Sequence, residues 1–180
     1  MNLARVGLAA FLVVGLVGVV RAEDKKEPVR ETIDYHKLKE IMPAELNGLK
    51  RQGDAKGERS KFGDFAISQV NATYQKGEDE KAPKVEVQII DYSNPEVAKG
   101  MSAAWATVEI DKESDDGFQK TVKIKGNPGY ISWEKDGNRG QVNLLIAERY
   151  VVTMSTENVA SADVTKMAEA LPIDKLAALK

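Results

Sequence analysis

The sequence predicts an α+β domain built on a single antiparallel sheet of about six strands, with helices packed on the sheet. Alternating apolar and polar residues, the period of a half-buried strand, mark six segments. Four of these segments follow one another between residues 118 and 156, joined by links too short for a parallel crossover. Apolar residues spaced three and four apart indicate helices before, between and after the strands.

The first predicted helix begins after Asp34, whose carboxylate suits an N-cap, and runs to about Met42. Pro43 disfavours helical backbone at the residue before it, so the chain restarts there. Beyond it, Lys50–Lys61 contains two glycines and five basic residues, which predicts an exposed loop. A second exposed loop is predicted at Lys76–Pro83.

Two predicted strands, Phe65–Tyr74 and Val85–Tyr92, lie on either side of the second loop. The latter has the clearer pattern, because Val85, Val87 and Ile89 alternate with polar residues. Both strands are therefore expected to bury one face and to expose the other.

The central helix is predicted to begin at Pro95, with Asn94 as its N-cap. Gly100 lies in the middle of this helix and weakens it by up to about 1 kcal/mol relative to Ala, so packing must hold the helix in place. Its apolar residues form one continuous stripe, which we expect to face the sheet: Val97, Met101, Ala104, Trp105 and Val108.

After an acidic loop at Asp111–Gly117, four strands are predicted in quick succession, joined by links of two to five residues. Such links favour a four-stranded antiparallel meander. The last helix is predicted to be capped by Ser161 or Asp163 and to end before Pro172, with a short helical turn after it. The four predicted strands are Phe118–Lys125, Gly129–Lys135, Gln141–Ala147 and Tyr150–Thr156.

The first 22 residues have the layout of a secretory signal peptide. Arg5 is followed by an uncharged run of 15 residues, and Ala22 precedes a cut before Glu23. A membrane-spanning helix needs about 20 apolar residues, more than this run provides. We therefore expect 1–22 to be a signal peptide, 23–33 a flexible tether and 34–180 a single domain. Cleavage near Ala22 predicts a periplasmic or extracellular protein, whereas an uncleaved segment would anchor the chain and be its only contact with a membrane.

Composition excludes several classes of protein. The chain of 180 residues has a formal net charge of −2, which argues against a dedicated nucleic-acid binder. It contains no cysteine, so a disulfide framework, a thiolate nucleophile and a cysteine-based zinc site are excluded. His36 is the only histidine, and we interpret it as a surface residue beside the tether rather than a general base or a metal ligand.

Three other groups invite a functional interpretation. The acidic stretch from Asp111 departs from the EF-hand pattern, because Asp116 stands where glycine is needed and Val122 where glutamate is needed. The basic residues of Lys50–Lys61 are interpreted as a solvated loop. Trp105 and Trp133 occupy inward positions and are interpreted as core residues. No catalytic, cofactor-binding or metal-binding residue is assigned, and no cofactor is expected.

The predicted order of helix, two strands, helix, four strands and helix is similar to that of the PsbP/Mog1-like superfamily, an α/β/α sandwich around an antiparallel sheet. This resemblance covers roughly residues 34–180 and concerns architecture alone. The chain also resembles small exported bacterial proteins without assigned activity. Neither resemblance implies a mechanism. The segments that carry the second are Met42–Lys50, Gly126–Tyr130, Arg149–Val152 and Ile173–Leu176.

We expect an exported, non-catalytic domain of the cell envelope that binds a protein partner or assists assembly. The alternative is a binding domain for a small apolar or lipid ligand held between sheet and helix, and an enzyme ranks third. A packed core around Trp105 and Trp133 favours the first, and a cavity above about 300 Å³ favours the second. A cleft that gathers polar side chains with shifted pKa values would favour the enzyme.

Overall fold

The computed structural model describes residues 29–77, 79 and 81–179, so the predicted signal peptide lies outside the described residues. Within these residues the chain forms four α-helices, one at each predicted position and one for the final helical turn. They are α1 (Tyr35–Ile41), α2 (Pro95–Ala106), α3 (Ser161–Glu169) and α4 (Ile173–Ala177).

Two of the predicted helix starts are confirmed. Asp34 accepts a hydrogen bond of 2.8 Å from the backbone N–H of His36, and Asn94 accepts one of 3.0 Å from Glu96. The expected cap of α3 is wrong, because that helix begins at Ser161, directly after Ala160, without a side-chain cap.

The domain is α+β with a single antiparallel sheet, as predicted, but the described residues form ten strands rather than six. The order across the sheet is β1-β2-β4-β5-β10-β9-β8-β7-β6, and β3 pairs with β4 outside this path. The strands are β1 (Glu45–Leu46), β2 (Leu49–Arg51), β3 (Lys56–Phe62), β4 (Phe65–Gln75), β5 (Lys84–Tyr92), β6 (Asp111–Ser114), β7 (Gly117–Ile124), β8 (Asn127–Glu134), β9 (Arg139–Ile146) and β10 (Tyr150–Glu157).

A short hairpin of β1 and β2 follows Pro43, where the sequence predicts that the chain restarts. Leu46 pairs with Leu49 across the turn Asn47-Gly48, and both turn residues have positive φ, 48° and 84°. Asn-Gly is a strong hairpin signal, because both residues tolerate the left-handed backbone of a two-residue turn. The sequence contains this signal, but the strands on either side have only two and three residues, too few to show an alternating pattern.

The other two additional strands, β3 and β6, lie in segments predicted as charged loops. Most side chains of β3 and all four of β6 are exposed. Each strand pairs with one neighbour only, β3 with β4 and β6 with β7. Backbone hydrogen bonds hold such edge strands in place, and their charged side chains hinder pairing with another chain. Because these side chains are exposed, the two segments lack the alternation of apolar and polar residues that marks a half-buried strand.

The predicted four-stranded meander is confirmed as β7, β8, β9 and β10, each antiparallel to the next. A single 3₁₀ turn, Asp136–Asn138, forms the link between β8 and β9. This turn is the one helical feature in a span that we expected to contain strands and turns alone.

Helices α1, α3 and α4 pack on one face of the sheet, here called the inner face, and α2 packs on the outer face. The main core lies on the inner face. Its fully buried side chains include Tyr74, Ile131, Leu144 and Tyr150. A smaller cluster under α2 contains Tyr92, Leu145 and Val151.

The predicted buried stripe of α2 is confirmed only in part. Val97 and Trp105 are half-buried against the smaller cluster, whereas Ala104 and Val108 are exposed and Met101 is 57% exposed. The fully buried residues of this helix are Pro95, Ala98 and Ser102. The outer face already presents large side chains beneath the helix, such as Leu145, so small residues occupy the fully buried positions and Met101 turns aside.

A buried ion pair holds the beginning of the domain. Asp91 is fully buried, and Arg149 donates to both its carboxylate oxygens at 2.6 Å. The same carboxylate accepts a 2.6 Å hydrogen bond from the backbone N–H of Ile33, and Arg149 also donates to the carbonyl of Glu31 at 3.0 Å. Burial opposes the charge of Arg149, but its hydrogen bond and charge interaction with Asp91 raise its pKa overall.

Residues that the sequence assigns to the end of the tether are therefore fixed to the sheet. Thr32 and Ile33 are buried, and the backbone N–H of Arg30 donates to the carbonyl of Ser93 at 2.8 Å. Residues 30–33 thus contact the same sheet as the rest of the domain.

Two buried tyrosines lead to a prediction for alkaline pH. Burial raises the pKa of Tyr74 and of Tyr150 from 10.0 to about 12. Their hydroxyls donate to the carbonyls of Pro43 and Leu179, both at 3.1 Å. Above pH 10 the unfolded chain loses these protons while the folded chain keeps them, so stability is fully present below pH 10 and falls as pH rises to about 12.

The expected loss is about 1.4 kcal/mol per pH unit for each tyrosine. Urea unfolding at several pH values across this window measures it. In the double variant Tyr74→Phe, Tyr150→Phe the slope should flatten. An unchanged slope in that variant would contradict the assignment.

Candidate functional site

The outer face of the sheet is only partly covered by α2, and the remainder is called the open face. Two rows of mostly polar side chains cross six strands there, each residue standing opposite the next in the strand register. Because neighbouring strands lie about 4.8 Å apart, each row is about 24 Å long. The rows are Asn71, Gln88, Thr153, Asn143, Tyr130, Thr121 and Thr73, Glu86, Ser155, Gln141, Ser132, Gln119.

A groove of about 630 Å³ occupies one end of the open face, above β4, β5 and β10. Its floor includes Asn71, Gln88 and Thr153, and one side is formed by the segment from Gln52 to Lys56. The groove is open to solvent along the sheet. Most of its polar lining consists of amide and hydroxyl groups, which bind through hydrogen bonds, and three charged residues, Asp54, Lys56 and Glu86, also line it.

Charge along the two polar rows is low. Glu86 is the one charged residue in the two rows, and it forms a 2.6 Å ion pair with Lys84. The hydrogen bond with Glu86 and its negative charge raise the pKa of Lys84. Burial raises the pKa of Tyr130, although a hydrogen bond with Ser132 opposes this shift. The next outward row of the same face differs, because it carries Lys84, Glu157, Arg139 and Glu134.

The exposed part of the predicted stripe of α2 borders the open face. Lys99 forms a 3.2 Å ion pair with Glu148, which lies in the turn between β9 and β10 at the end of the sheet. Successive residues of an α-helix are about 100° apart, so Met101 lies on the opposite flank from Lys99. Ala104 shares that flank by its spacing and is exposed, whereas Val97 packs against the cluster under α2. Met101 and Ala104 form an apolar shoulder on the helix.

The two tryptophans occupy different environments. Trp133 is half-buried against the main core, and its indole N–H donates to the carbonyl of Val159 at 2.9 Å. Trp105 is half-buried in the smaller cluster under α2. It also lines an open pocket of about 370 Å³ between the end of α2 and β7–β8, together with Val108, Val122 and Pro128.

The other candidate residues do not converge. His36 is exposed, stacks on Tyr35 with ring centroids 4.0 Å apart, and lies 2.8 Å from Asp34. The acidic stretch lies on β6 and its turn, and no group of acidic residues or histidine suited to holding a metal ion is found among the described residues. Within the basic cluster, Arg51 donates to the carbonyl of Met42 and Arg59 to the hydroxyl of Thr32, so both serve structural contacts.

Sequence reasoning missed the open face as a site. The apolar members of each alternating strand indicate the core, and the polar members are expected to face solvent. The signal available was composition, because the outward residues of neighbouring strands are mostly uncharged amides and hydroxyls in a chain with 30% charged residues. Their alignment in rows follows from strand order and register, which the sequence does not supply.

Comparisons with known proteins add no assignment: no protein-family model, no curated protein and no solved structure matches this chain. Among the described residues, none of the helices has the length and apolar character needed to cross a membrane. The open face and the Trp105 pocket are thus the two features from which function is argued.

Proposed function

We propose that this chain is an exported, non-catalytic domain of the cell envelope that binds a protein partner, or assists an assembly, through the open face. The observation that carries the proposal is the combination of an uncovered polar floor and an apolar shoulder. Protein interfaces commonly combine a central apolar patch with surrounding polar groups that form hydrogen bonds. Met101, 57% exposed beside the polar rows, supplies the apolar part.

Export is proposed from the sequence of residues 1–22. After cleavage near Ala22 the domain would lie in the periplasm or outside the cell, and without cleavage it would remain anchored there. Kinship with the PsbP/Mog1-like superfamily is likewise a proposal, supported by helices on both faces of an antiparallel sheet. N-terminal sequencing of the native protein tests the cleavage.

The chemistry of the groove favours binding over catalysis. Its floor consists largely of amide and hydroxyl side chains, which neither transfer protons nor attack substrates at neutral pH without an activating base. Of the carboxylates that line the groove, Glu86 is engaged by Lys84 at 2.6 Å, and Asp54 lies on the segment that forms one side. The two pKa values raised to about 12 belong to Tyr74 and Tyr150, in the core. The pKa values of these two tyrosines are raised because their side chains are buried in the core on the inner face of the sheet.

The alternative function, binding of a small apolar ligand between sheet and helix, is supported by one observation. The pocket at Trp105 has about 370 Å³ and is lined by the apolar residues Trp105, Val108 and Pro128, which places it at the lower end of the range for ligand sites. Against this, Ala98 and Ser102 are fully buried, so α2 rests directly on the sheet. The variant Trp133→Phe retains Trp105 as its single tryptophan. A change in the fluorescence of Trp105 on addition of a naphthylamine dye tests whether the pocket binds an apolar ligand.

A site-specific cross-linking experiment tests the main proposal. A photoreactive amino acid replaces Gln88 on the open face, and the matched control replaces Glu169, an exposed residue of α3 on the other side of the sheet. In intact cells we expect the Gln88 position to capture a defined protein partner and the Glu169 position to capture none. Capture from both positions alike, or from neither, would contradict binding through the open face.

A further inference from the structure

The edge of the sheet at β3 has hydrogen-bonding capacity that the fold does not use. β3 has 7 residues, compared with 2 in β1 and 4 in β6, the strands at the two ends of the sheet order. Within the described part of the chain it pairs with β4 alone, and residues 56–62 make no backbone hydrogen bond to any other segment. An exposed edge of this kind can accept an additional strand from another chain.

The turn after β3 identifies the backbone groups that are free. Phe62 pairs with Phe65 across the two-residue turn Gly63-Asp64, in which Gly63 has a φ of 60°. The residues that close such a turn exchange backbone hydrogen bonds, and hydrogen-bonded pairs then alternate with non-hydrogen-bonded pairs along the hairpin. Three alternate residues of β3 therefore point their N–H and C=O groups away from β4: Gly57, Arg59 and Lys61.

A cavity lies beside this edge, on the inner face of the sheet. It has a volume of about 580 Å³ and is lined by residues 31–37 together with Arg59 of β3. Nε of Arg59 donates to the hydroxyl of Thr32 at 3.0 Å, which fixes the arginine at the border between the cavity and the strand. When a strand is added to a sheet, backbone hydrogen bonds supply affinity and pockets for alternate side chains supply specificity. The cavity is placed to receive such a side chain.

Positive charge predominates around the cavity and the adjoining edge. Three basic side chains, Lys37, Arg59 and Lys61, stand against two carboxylates, Glu31 and Asp34. Asp34 is already engaged, because its carboxylate accepts a backbone N–H at the start of α1 and lies 2.8 Å from an imidazole nitrogen. Lys61 has no carboxylate within ion-pair distance among the residues that the structure describes. An acidic side chain of an added strand would therefore meet an excess of positive charge.

A second copy of the chain fits this edge poorly. Antiparallel registers that pair most of β3 with itself are centred on Glu58, Arg59 or Ser60. The first two place two identical charges directly opposite each other, and the third places Arg59 opposite Lys61. Like charges in directly opposite positions destabilise a sheet. The charges of β3 thus hinder self-association, but they do not hinder a strand that carries acidic side chains.

We propose that β3 is a docking edge for an extended acidic segment of a partner protein. The segment adds to the sheet as a strand beside β3 and places an acidic side chain in the cavity at Arg59. This edge is separate from the open face, so the inference does not depend on the proposed function. The cross-linking result at Gln88 leaves it unchanged in either direction.

Fluorescence anisotropy of labelled peptides tests the docking. The probe is a seven-residue peptide in which glutamate alternates with valine, and the control peptide has lysine in place of glutamate. We expect the processed chain to bind the acidic peptide at least about tenfold more tightly than the basic one. Equal affinities for the two peptides, or no binding of the acidic one, would overturn the proposal.

Two changes at Lys61 separate charge from backbone pairing. Lys61→Gln removes the charge but keeps the outward N–H, and it should raise the Kd of the acidic peptide by about two- to fivefold. Lys61→Pro also removes that N–H, a change that an edge strand tolerates, and it should raise Kd by about tenfold or more. Lys112→Gln on β6, the edge strand at the other end of the sheet, is the matched control and should leave Kd unchanged. Equal effects of the two Lys61 variants would argue against backbone pairing.

Methylation of the peptide backbone tests the pairing without changing the protein. Two acidic peptides carry N-methyl groups at alternate amides, one along each edge of the extended peptide. Only one edge of an added strand faces β3, so one peptide should lose binding and the other should retain it. Equal binding of the two methylated peptides overturns strand addition. Sedimentation velocity covers the other occupant, since a dimer of the chain that Lys61→Pro dissociates would assign the edge to a second copy and overturn the proposal.

Discussion

Arg149→Met is expected to lower the free energy of unfolding by about 3–5 kcal/mol, because it leaves the carboxylate of Asp91 buried without its charged partner. Asp91 is fully buried, and Arg149 contacts both of its oxygens at 2.6 Å. Total stability of a domain is about 5–15 kcal/mol, so this loss would be a large part of it. Urea unfolding of the two proteins measures the difference.

The variant also tests whether the ion pair fixes the beginning of the domain. Backbone amides of Ile33 and its neighbours should exchange hydrogen faster in Arg149→Met, since the carboxylate that Ile33 binds loses its position. Arg139→Met is the matched control, because Arg139 forms a 3.7 Å ion pair with Asp136 whose carboxylate side chain is 98% exposed. That control should stay within about 0.5 kcal/mol. Equal effects of the two arginine variants would argue against a structural role for the buried pair.

Leu144→Ala is expected to lower the free energy of unfolding by about 2–5 kcal/mol. Leu144 is fully buried in the main core on β9, and its side chain fills the space above Gly129 of β8. Removing it leaves a cavity that the surrounding sheet can fill only in part. Thermal and urea unfolding measure the loss.

Met101→Ala is the control for this prediction and also for the corrected orientation of α2. Met101 belongs to the stripe that the sequence directs toward the sheet, yet the structure leaves it exposed. Its truncation should change stability by no more than about 0.5 kcal/mol. A loss of stability comparable to that of Leu144→Ala would mean that Met101 is buried against the sheet, as the apolar stripe of the helix predicts.

The elements with a strong local signal could be predicted from the sequence. The caps at Asp34 and Asn94, the strand at Val85–Ile89 and the meander from β7 to β10 each depend on residues close together in the chain. Local hydrogen bonding fixes a cap, and short links leave neighbouring strands little choice but antiparallel pairing. These predictions needed no knowledge of the rest of the fold.

The edge strands could not be predicted from hydrophobic period, because β3 and β6 bury almost no side chain. Their existence depends on the backbone of a neighbouring strand, which offers hydrogen bonds along one side. The polar rows of the candidate site could not be predicted from the sequence for a similar reason, because strand pairing brings their residues together. Gln88 and Thr153 are far apart in the sequence, and only the pairing of β5 with β10 places them side by side.

The sequence by itself therefore determined the α+β class, the starts of α1 and α2, the meander and the inward residues of the central strands, because each follows from a cap, a short link or a periodicity within a few residues. The tertiary structure alone decided which side of α2 is buried. An apolar stripe marks a helix, but the sheet beneath α2 carries large side chains and accepts Ala98 and Ser102 in place of Met101. That choice depends on the shape of the opposing surface, and it leaves an apolar shoulder beside the polar rows where binding is proposed.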